Sequence, residues 1–281
     1  MILLVDIGNS QIKWTTIQSK VLADSQHFSR PKTGIKAALN KAWKSLEDIE
    51  AVFVSNVAGD KIAAQLTEWI DKQWKLTPVF VQSEKRRFGV TNAYEQPETL
   101  GVDRWLAIVA GRQHARQVTC IIDCGTAITV DIVTEKGQHQ GGLIVPGLSL
   151  MKQMLTDNTD ALNNVAQESE FNLLATNTHS AIQAGTLYMV TATLENLIND
   201  LQQNFTDEIR FLITGGDAEE LIPLLPQPLI HEPDLVLKGL AQYARQTNQR
   251  NKNKPEKQTE SESSAEEDGV EDSTALPENA N

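Results

Sequence analysis

The chain has few of the features that mark membrane proteins or zinc proteins. No apolar run approaches the roughly 18 residues that a membrane helix requires. Only two cysteines occur in 281 residues, Cys120 and Cys124, and no second pair lies near them to complete a zinc motif. The chain starts directly in a predicted strand, with no basic, cleavable leader before it. We therefore expect a cytoplasmic protein without a membrane partner.

Positive charge is also scarce, and this argues against a nucleic-acid partner. The one basic cluster, at residues 85–87, is short and isolated. The formal net charge is −12, but residues 256–281 alone carry −8, which leaves −4 for the preceding 255 residues. The body of the chain is therefore only weakly acidic, and most of the charge describes the tail.

The acidic tail, which we place at residues 249–281, is predicted to be disordered. Its Ser- and Glu-rich composition without aromatic residues buries too little apolar surface to offset the entropy of ordering. A partner-binding arm and a solubilising extension both fit this composition, and the second is the more common case.

An Asp-x-Gly sequence occurs twice, each time after an apolar run that is typical of a buried strand. The first copy contains Asp6 and Gly8, and the second contains Asp123 and Gly125. A second β-rich stretch follows each copy, which predicts two hairpins with a carboxylate beside the turn. Two such hairpins indicate a duplicated domain with a cleft between the copies. A cleft lined by Gly turns and carboxylates suits phosphate and magnesium.

The rest of the chain alternates predicted strands and helices, which indicates an α/β layer structure. Helices are predicted at residues 33–46, 60–73, 100–114, 148–155, 178–203 and 235–246; strands are predicted at 21–28, 51–55, 79–81, 142–147 and 210–214; and a turn is predicted at 137–142. Residues 157–176 show little pattern. The two hairpins divide the body into an N-terminal domain, residues 1–117, and a C-terminal domain, residues 118–248.

The first hairpin turn has the residue types that a phosphate site needs. A turn that contains Gly8 can present backbone N–H groups to phosphate oxygens, and Lys13 can offset their charge. Asp6 can hold a magnesium ion through water, because that ion keeps much of its hydration. A carboxylate that only caps a turn is the alternative interpretation of Asp6.

Two further motifs have both a functional and a structural interpretation. Asp103 and Arg104 are adjacent where a loop meets a predicted helix. Asp103 can accept a proton from an attacking hydroxyl, and Arg104 can bind a small substrate with its planar fork. The alternative is a surface ion pair on a helix. The turn at residues 214–217 either receives an adenosine group or simply joins a strand to a helix.

Taken together, these segments resemble type III pantothenate kinases. The order and spacing fit that family over residues 1 to about 246, and one departure is Ser10, where the family usually has Thr. The matching segments are Asp6-Ile-Gly-Asn-Ser-Gln-Ile-Lys13, Tyr94, Gly101-Val-Asp-Arg104, Asp123-Cys-Gly-Thr126, Gly141-Gly-Leu-Ile-Val-Pro-Gly147, Asn177-Thr178 with Gly185, and Ile213-Thr-Gly-Gly-Asp217.

The resemblance implies a duplicated, actin-like (ribonuclease H-like) α/β fold with a central cleft. It also implies transfer of the ATP γ-phosphoryl group to pantothenate, the first step of coenzyme A synthesis. The residues that would bind ATP are Asp6, Ile7, Gly8, Asn9, Ser10, Gln11, Ile12, Lys13 and Thr126. The residues that would contact pantothenate are Tyr94, Gly101, Val102, Asp103, Arg104 and Thr178.

The resemblance further implies specific roles for single residues. Asp103 would be the proton acceptor, and Asp123 would ligate K⁺ or NH₄⁺, which the family needs besides Mg²⁺. The family forms homodimers, so Thr178 would reach the pantothenate site from the partner chain.

Two other functions remain open on the sequence. Another actin-like kinase acting on a sugar or a short acid would also explain the Asp-x-Gly turns, but it leaves Gly101–Arg104 without a role. A regulatory accessory factor that binds nucleotide without catalysis is the other alternative.

Overall fold

The computed structural model describes residues 1–157, 174–225 and 228–252, with side chains described through residue 247. Within those ranges, no helix combines the length and apolar character needed to cross a membrane. The segment at residues 157–176 and the acidic tail lie almost wholly outside the described residues.

The first sheet is built on the first predicted hairpin. Its strands are β1 (Ile2–Ile7), β2 (Gln11–Gln18), β3 (Val21–Leu22), β4 (Gln26–Ser29), β5 (Ala51–Asn56) and β6 (Val79–Phe80). The order is β3-β2-β1-β5-β6, and β4 also pairs with β2. β1 is antiparallel to β2 and parallel to β5. The hairpin prediction is confirmed, whereas the single strand predicted at residues 21–28 is two short strands.

The second sheet repeats this arrangement around the second hairpin. After a small two-stranded sheet, β7 (Arg86–Arg87) and β8 (Val90–Thr91), its strands are β9 (Val118–Cys124), β10 (Ala127–Val133), β11 (His139–Pro146), β12 (Ile209–Thr214) and β13 (Ile230–His231). The order is β11-β10-β9-β12-β13. β9 is antiparallel to β10 and parallel to β12.

The turn predicted at residues 137–142 is wrong in its second half. β11 already begins at His139, which pairs with Val133, and Gly142 pairs with Asp131. The glycines in this segment suggested a turn, but strand pairing across a bulge between Asp131 and Val133 determines the structure instead.

The helices are close to the predicted ones. They are α1 (Lys36–Trp43), α2 (Asp60–Trp74), α3 (Val102–His114), α4 (Leu148–Asp157), α5 (Thr178–Asn204), α6 (Ala218–Leu221) and α7 (Leu235–Lys252), with short 3-10 turns at Pro97–Thr99 and Ile222–Leu224. α7 continues four residues into the segment that the sequence assigns to the tail.

Two helices between the sheets connect the halves of the molecule. α3 packs against the second sheet, α7 packs against the first, and the two helices pack against each other. Alternate residues of β1 face opposite sides: Leu4 joins the central core with Leu106 and Leu240, while Leu3 joins an outer core with Trp43. Because α7 packs on the first sheet, the predicted domain boundaries stay a prediction.

Candidate active site

The turns of both hairpins open into one cavity of about 340 Å³. It lies between the two sheets, at the ends of β1 and β9 that carry the Asp-x-Gly sequences. The residues predicted from the sequence that line it are Asp6, Gly8, Asn9, Ser10, Gln11, Lys13, Asp103, Asp123 and Thr126. Ile7 and Ile12 are fully buried in the outer core beneath the turn. The structure therefore brings the three predicted aspartates to one place.

The two turns touch each other across the cavity. The hydroxyls of Ser10 and Thr126 are 2.8 Å apart, although 116 residues separate them. Arg30 stabilises the first turn with two hydrogen bonds. Its Nε donates to the carbonyl oxygen of Asn9 and its backbone N–H to that of Ser10, each at 2.8 Å. A ligand that reaches one turn is therefore within reach of the other.

The three aspartates concentrate negative charge in a partly dehydrated space. Burial, with added repulsion from the other two carboxylates, raises the pKa of Asp6 to about 7. Burial and the charge of Asp103 raise the pKa of Asp123 to about 6. Burial also raises the pKa of Asp103, which the backbone N–H of Arg104 opposes by donating to its Oδ1 at 2.8 Å. Such a cluster binds a cation favourably, because a cation removes the repulsion.

Three helices begin at the cavity and supply the opposite polarity. Asp103 lies in the first turn of α3, Ser149 in that of α4, and Leu235–Leu237 open α7. The unpaired N–H groups and the positive dipole end of a helix favour an anion such as phosphate. Sequence patterns predicted α4 and α7 as helices but did not place them at the cavity. For α7, Pro233-Asp234 before an apolar run was the available signal.

The third Gly-containing turn also lines the cavity, from Thr214 to Asp217. Gly215 has φ +98°, and a Cβ there would lie 2.3 Å from the carbonyl oxygen of Cys124. Asp217 N–H donates to that same oxygen at 2.9 Å. Only glycine therefore lets this turn pack against the end of β9.

The donors at the cavity fit a magnesium ion held partly through water. Asp6 Oδ1 is buried and has no hydrogen-bond partner among the described residues, which is the situation that a cation or its water would resolve. In the described ranges, no three His, Cys, Asp or Glu side chains form a ready-made metal cage. Mg²⁺ needs none when one or two carboxylates and substrate phosphates bind it together with water.

Of the predicted pantothenate residues, only Asp103 lines this cavity, and Arg104 follows it on α3. Arg104 is buried and forms a two-point ion pair with Asp131, and its Nη1 donates to the hydroxyl of Tyr94 at 2.9 Å. Gly101 and Val102 begin the same helix. Thr178 is exposed in the first turn of α5 and is not among the residues that line the cavity. Asp131 was missed, although a lone acid inside a buried strand signals a partner.

Solved structures with the same architecture define the fold class. The chain is similar to a conserved putative Baf family transcriptional activator from Campylobacter jejuni, with a TM-score of 0.54 and 21% identity. It is equally similar, with a TM-score of 0.54 and 12% identity, to a putative 2-dehydro-3-deoxygalactonokinase from Sinorhizobium meliloti. Each match covers 88% of this chain and 99% of the other. The fold is the duplicated, actin-like α/β fold that the sequence predicted.

Sequence comparison identifies the family. A family model described as type III pantothenate kinase matches residues 2–200. A type III pantothenate kinase from Nitrosococcus oceani is 46% identical, covering 88% of this chain and 95% of the relative. One from Hydrogenovibrio crunogenus is 36% identical, covering 85% and 97%. The chain belongs to the type III pantothenate kinase family, and its activity is the phosphotransferase activity of that family.

Proposed function

We propose that the chain transfers the γ-phosphoryl group of ATP to the hydroxyl of pantothenate, with Asp103 as the catalytic base. Asp103 accepts the hydroxyl proton, the freed oxygen attacks the γ-phosphorus, and the bond from that phosphorus to the β-γ bridging oxygen breaks to release ADP. The observation that carries the proposal is the convergence of Asp6, Asp103 and Asp123 on one cavity between two Gly-containing turns.

The ATP phosphates would lie between the two hairpin turns. The segment from Asp6 to Lys13 would bind them from one side and Thr126 from the other, which agrees with the contact between Ser10 and Thr126. The N-termini of α4 and α7 would add N–H donors and positive polarity. Phosphoryl transfer depends mainly on positioning and neutralised charge, and this arrangement supplies both.

Two cations would complete the charge balance at the site. Asp6 would hold Mg²⁺ through water, and Asp123 would ligate K⁺ or NH₄⁺. Bound there, the cations would offset the phosphate charge as it shifts toward the leaving ADP. The raised pKa values of both aspartates support this proposal, because each carboxylate is unfavourable when charged and unpaired.

Pantothenate would lie against Tyr94 and the segment Gly101–Arg104, next to the base. We further propose a cytoplasmic homodimer, in which Thr178 of the partner chain completes the pantothenate site. Exposure of Thr178 at the start of α5 is compatible with such a contact.

The test is ADP release by the purified protein with Mg²⁺ and K⁺, measured with pantothenate and with a panel of sugars and short acids. Only pantothenate should give a rapid rate, and the product should gain the mass of one phosphoryl group. Asp103→Asn should lower kcat by about 10²-fold or more, as loss of a general base does, while circular dichroism stays unchanged. Asp71→Asn, at an exposed carboxylate on α2, is the matched control.

Two outcomes would contradict the proposal. Wild-type turnover of a sugar but not of pantothenate would assign the site to another kinase reaction. Normal turnover by Asp103→Asn would remove Asp103 from the role of base while leaving the substrate assignment intact.

A further inference from the structure

A buried polar cluster adjoins Asp103 of the cavity through Arg104, and two of its four residues have no role in the proposed function. We call it the Asp131 cluster: Asp131 on β10, Arg104 on α3, His139 on β11, and Tyr94. Asp131, His139 and Arg104 are only 2, 3 and 6% exposed. Charged groups this deeply buried are costly unless their hydrogen bonds are well satisfied. The hydrogen bonds within the cluster therefore decide whether its burial is tolerated.

Asp131 is the centre of the cluster and accepts three hydrogen bonds. Arg104 donates from Nε to Oδ2 at 2.8 Å and from Nη2 to Oδ1 at 2.7 Å. His139 Nε2 lies 2.9 Å from Oδ1. The N–H of Ala93 donates to His139 Nδ1 at 3.4 Å, so Nε2 carries the proton and donates to Asp131. These three donors fix the plane of the carboxylate.

Arg104 in turn connects Asp131 to the proposed substrate site. Of its five side-chain N–H groups, two bind Asp131 and one binds the hydroxyl of Tyr94, at 2.9 Å. Among the described residues, the other two side-chain N–H groups have no hydrogen-bond partner, and these are the groups that a substrate oxygen would use. The backbone N–H of Arg104 donates to Oδ1 of Asp103, the proposed base. A shift of Arg104 would disturb both the substrate anchor and the base.

The neighbouring strand is shaped to admit this ion pair. Gly142 on β11 pairs directly with Asp131. A Cβ at Gly142 would lie 2.5 Å from Asp131 Oδ1 and 2.6 Å from Arg104 Nη2. A Cβ would also lie 2.0 Å from the carbonyl oxygen of Val130, so glycine at this position lets both the β10 backbone and the ion pair pack against β11.

We propose that Asp131 is a positioning residue of the pantothenate site, which holds the Arg104 fork so that its two remaining N–H groups face the substrate, and that His139 holds Asp131. This inference rests on the proposed function. A different role, in which Asp131 only neutralises Arg104, makes the opposite prediction. Removing the carboxylate charge would then strengthen the binding of an anionic substrate.

Steady-state kinetics of Asp131→Asn separates the two roles. We expect KM for pantothenate to rise about tenfold or more, since a charge-assisted two-point contact is lost, while KM for ATP changes less than about twofold. His139→Phe keeps a ring against Tyr94 but loses the hydrogen bonds to Asp131 and Ala93. We expect it to raise KM for pantothenate by about threefold. Tyr243→Phe is the control for structural damage, because it removes buried hydrogen bonds with Trp105 and Glu84 away from the cavity.

A double-mutant cycle shows whether Asp131 acts through Arg104. In an Arg104→Gln background, adding Asp131→Asn should leave KM for pantothenate nearly unchanged. The proposal would be overturned if the effects of the two substitutions on KM for pantothenate added up. It would also be overturned if Asp131→Asn alone left this KM unchanged or lowered it. If Asp131→Asn does not fold, the same cycle is measured with His139→Phe and Arg104→Gln. An effect of His139→Phe on KM for pantothenate that disappears in the Arg104→Gln background supports the proposal, and an unchanged KM or an additive effect overturns it.

Failure of this inference is distinguishable from failure of the proposed function. A wild-type protein without pantothenate-dependent ADP release contradicts the proposed function itself. An active wild type whose KM for pantothenate is unaffected in Asp131→Asn and His139→Phe rejects only the positioning role.

Discussion

The two hairpins share a plan but differ in what stands opposite the aspartate. In each, an antiparallel partner follows the turn and a parallel strand lies on the other side. Asp6 pairs with Lys13, whereas Asp123 pairs with Thr129. Four residues lie between the pair Ile7 and Ile12 at the first turn, and three between Cys124 and Ile128 at the second. The first hairpin therefore has a longer turn and a cation, and the second has neither.

A second difference lies deeper in the sheets. Leu4 pairs with Thr15 in the first hairpin, and Ile121 pairs with Asp131 at the same distance from the turn in the second. The hydroxyl of Thr15 donates locally to the carbonyl oxygen of Ala23 at 2.8 Å. Asp131 instead binds Arg104 on another element. Duplication thus supplies the cleft that both turns line, and the differences place Lys13 beside Asp6 in the first half and the ion pair with Arg104 in the second.

The largest expected effect comes from the aspartate of the first hairpin. Asp6→Asn should lower kcat by on the order of 10²–10³-fold, because it removes the buried charge that would hold Mg²⁺ beside the phosphates. Activity measured over a range of Mg²⁺ concentrations checks this. A small loss that extra Mg²⁺ fully restores would instead show that Asp6 contributes affinity for the ion and little else.

The aspartate of the second hairpin should respond to a different ion. Wild-type activity should depend on K⁺ or NH₄⁺, and Asp123→Asn should lower the rate by about tenfold and remove that dependence, as loss of a cation ligand does. The measurement is the rate in potassium, ammonium and sodium salts at constant Mg²⁺. Equal wild-type rates in all three salts would refute the role of Asp123.

The residues opposite the two aspartates should also behave differently. Lys13→Met should raise KM for ATP by about tenfold, since it removes the cation that the proposed function places beside the phosphates. Thr129→Val at the matching position should change it by less than about threefold. Equal effects of the two substitutions on KM for ATP would mean that Lys13 has no special part in binding the phosphates.

The smallest expected effect is on stability in the absence of ligand. The pKa of Asp6 is raised from 3.8 to about 7 and that of Asp123 to about 6. The folded state thus holds protons that the unfolded state has released, so the contribution of these two groups to stability is fully present below about pH 4 and is lost as pH rises through 6 to 7. Asp6→Asn should flatten this decline and raise Tm at pH 8 by about 2–4 °C.

Thermal melts of the ligand-free wild type and Asp6→Asn between pH 5 and 8 check this prediction. Asp71→Asn, whose carboxylate is exposed, should follow the wild-type curve. Parallel curves for Asp6→Asn and the wild type would show that Asp6 is not a strained, buried carboxylate in solution.

Much of the fold and of the nucleotide cleft could be predicted from the sequence, because the signals are local. Asp6 and Asp123 each follow a buried strand and precede a glycine, so one short segment predicts the strand, the turn and the carboxylate beside it. The Asp131 cluster could not be predicted, because α3, β10 and β11 contribute one charged or polar side chain each and no local pattern links them. The role of Gly142, which lets β10 and the ion pair pack against β11, likewise becomes visible only once the two strands are side by side.

The central claim is that both hairpin turns hold one nucleotide. Isothermal titration calorimetry with Mg²⁺ and a non-hydrolysable ATP analogue tests it directly, using the wild type, Lys13→Met in the first turn and Thr126→Val in the second. We expect one nucleotide to bind per wild-type chain and the affinity to be lower in both variants. Unchanged affinity in either variant would show that its turn does not contact the nucleotide, and would contradict the account.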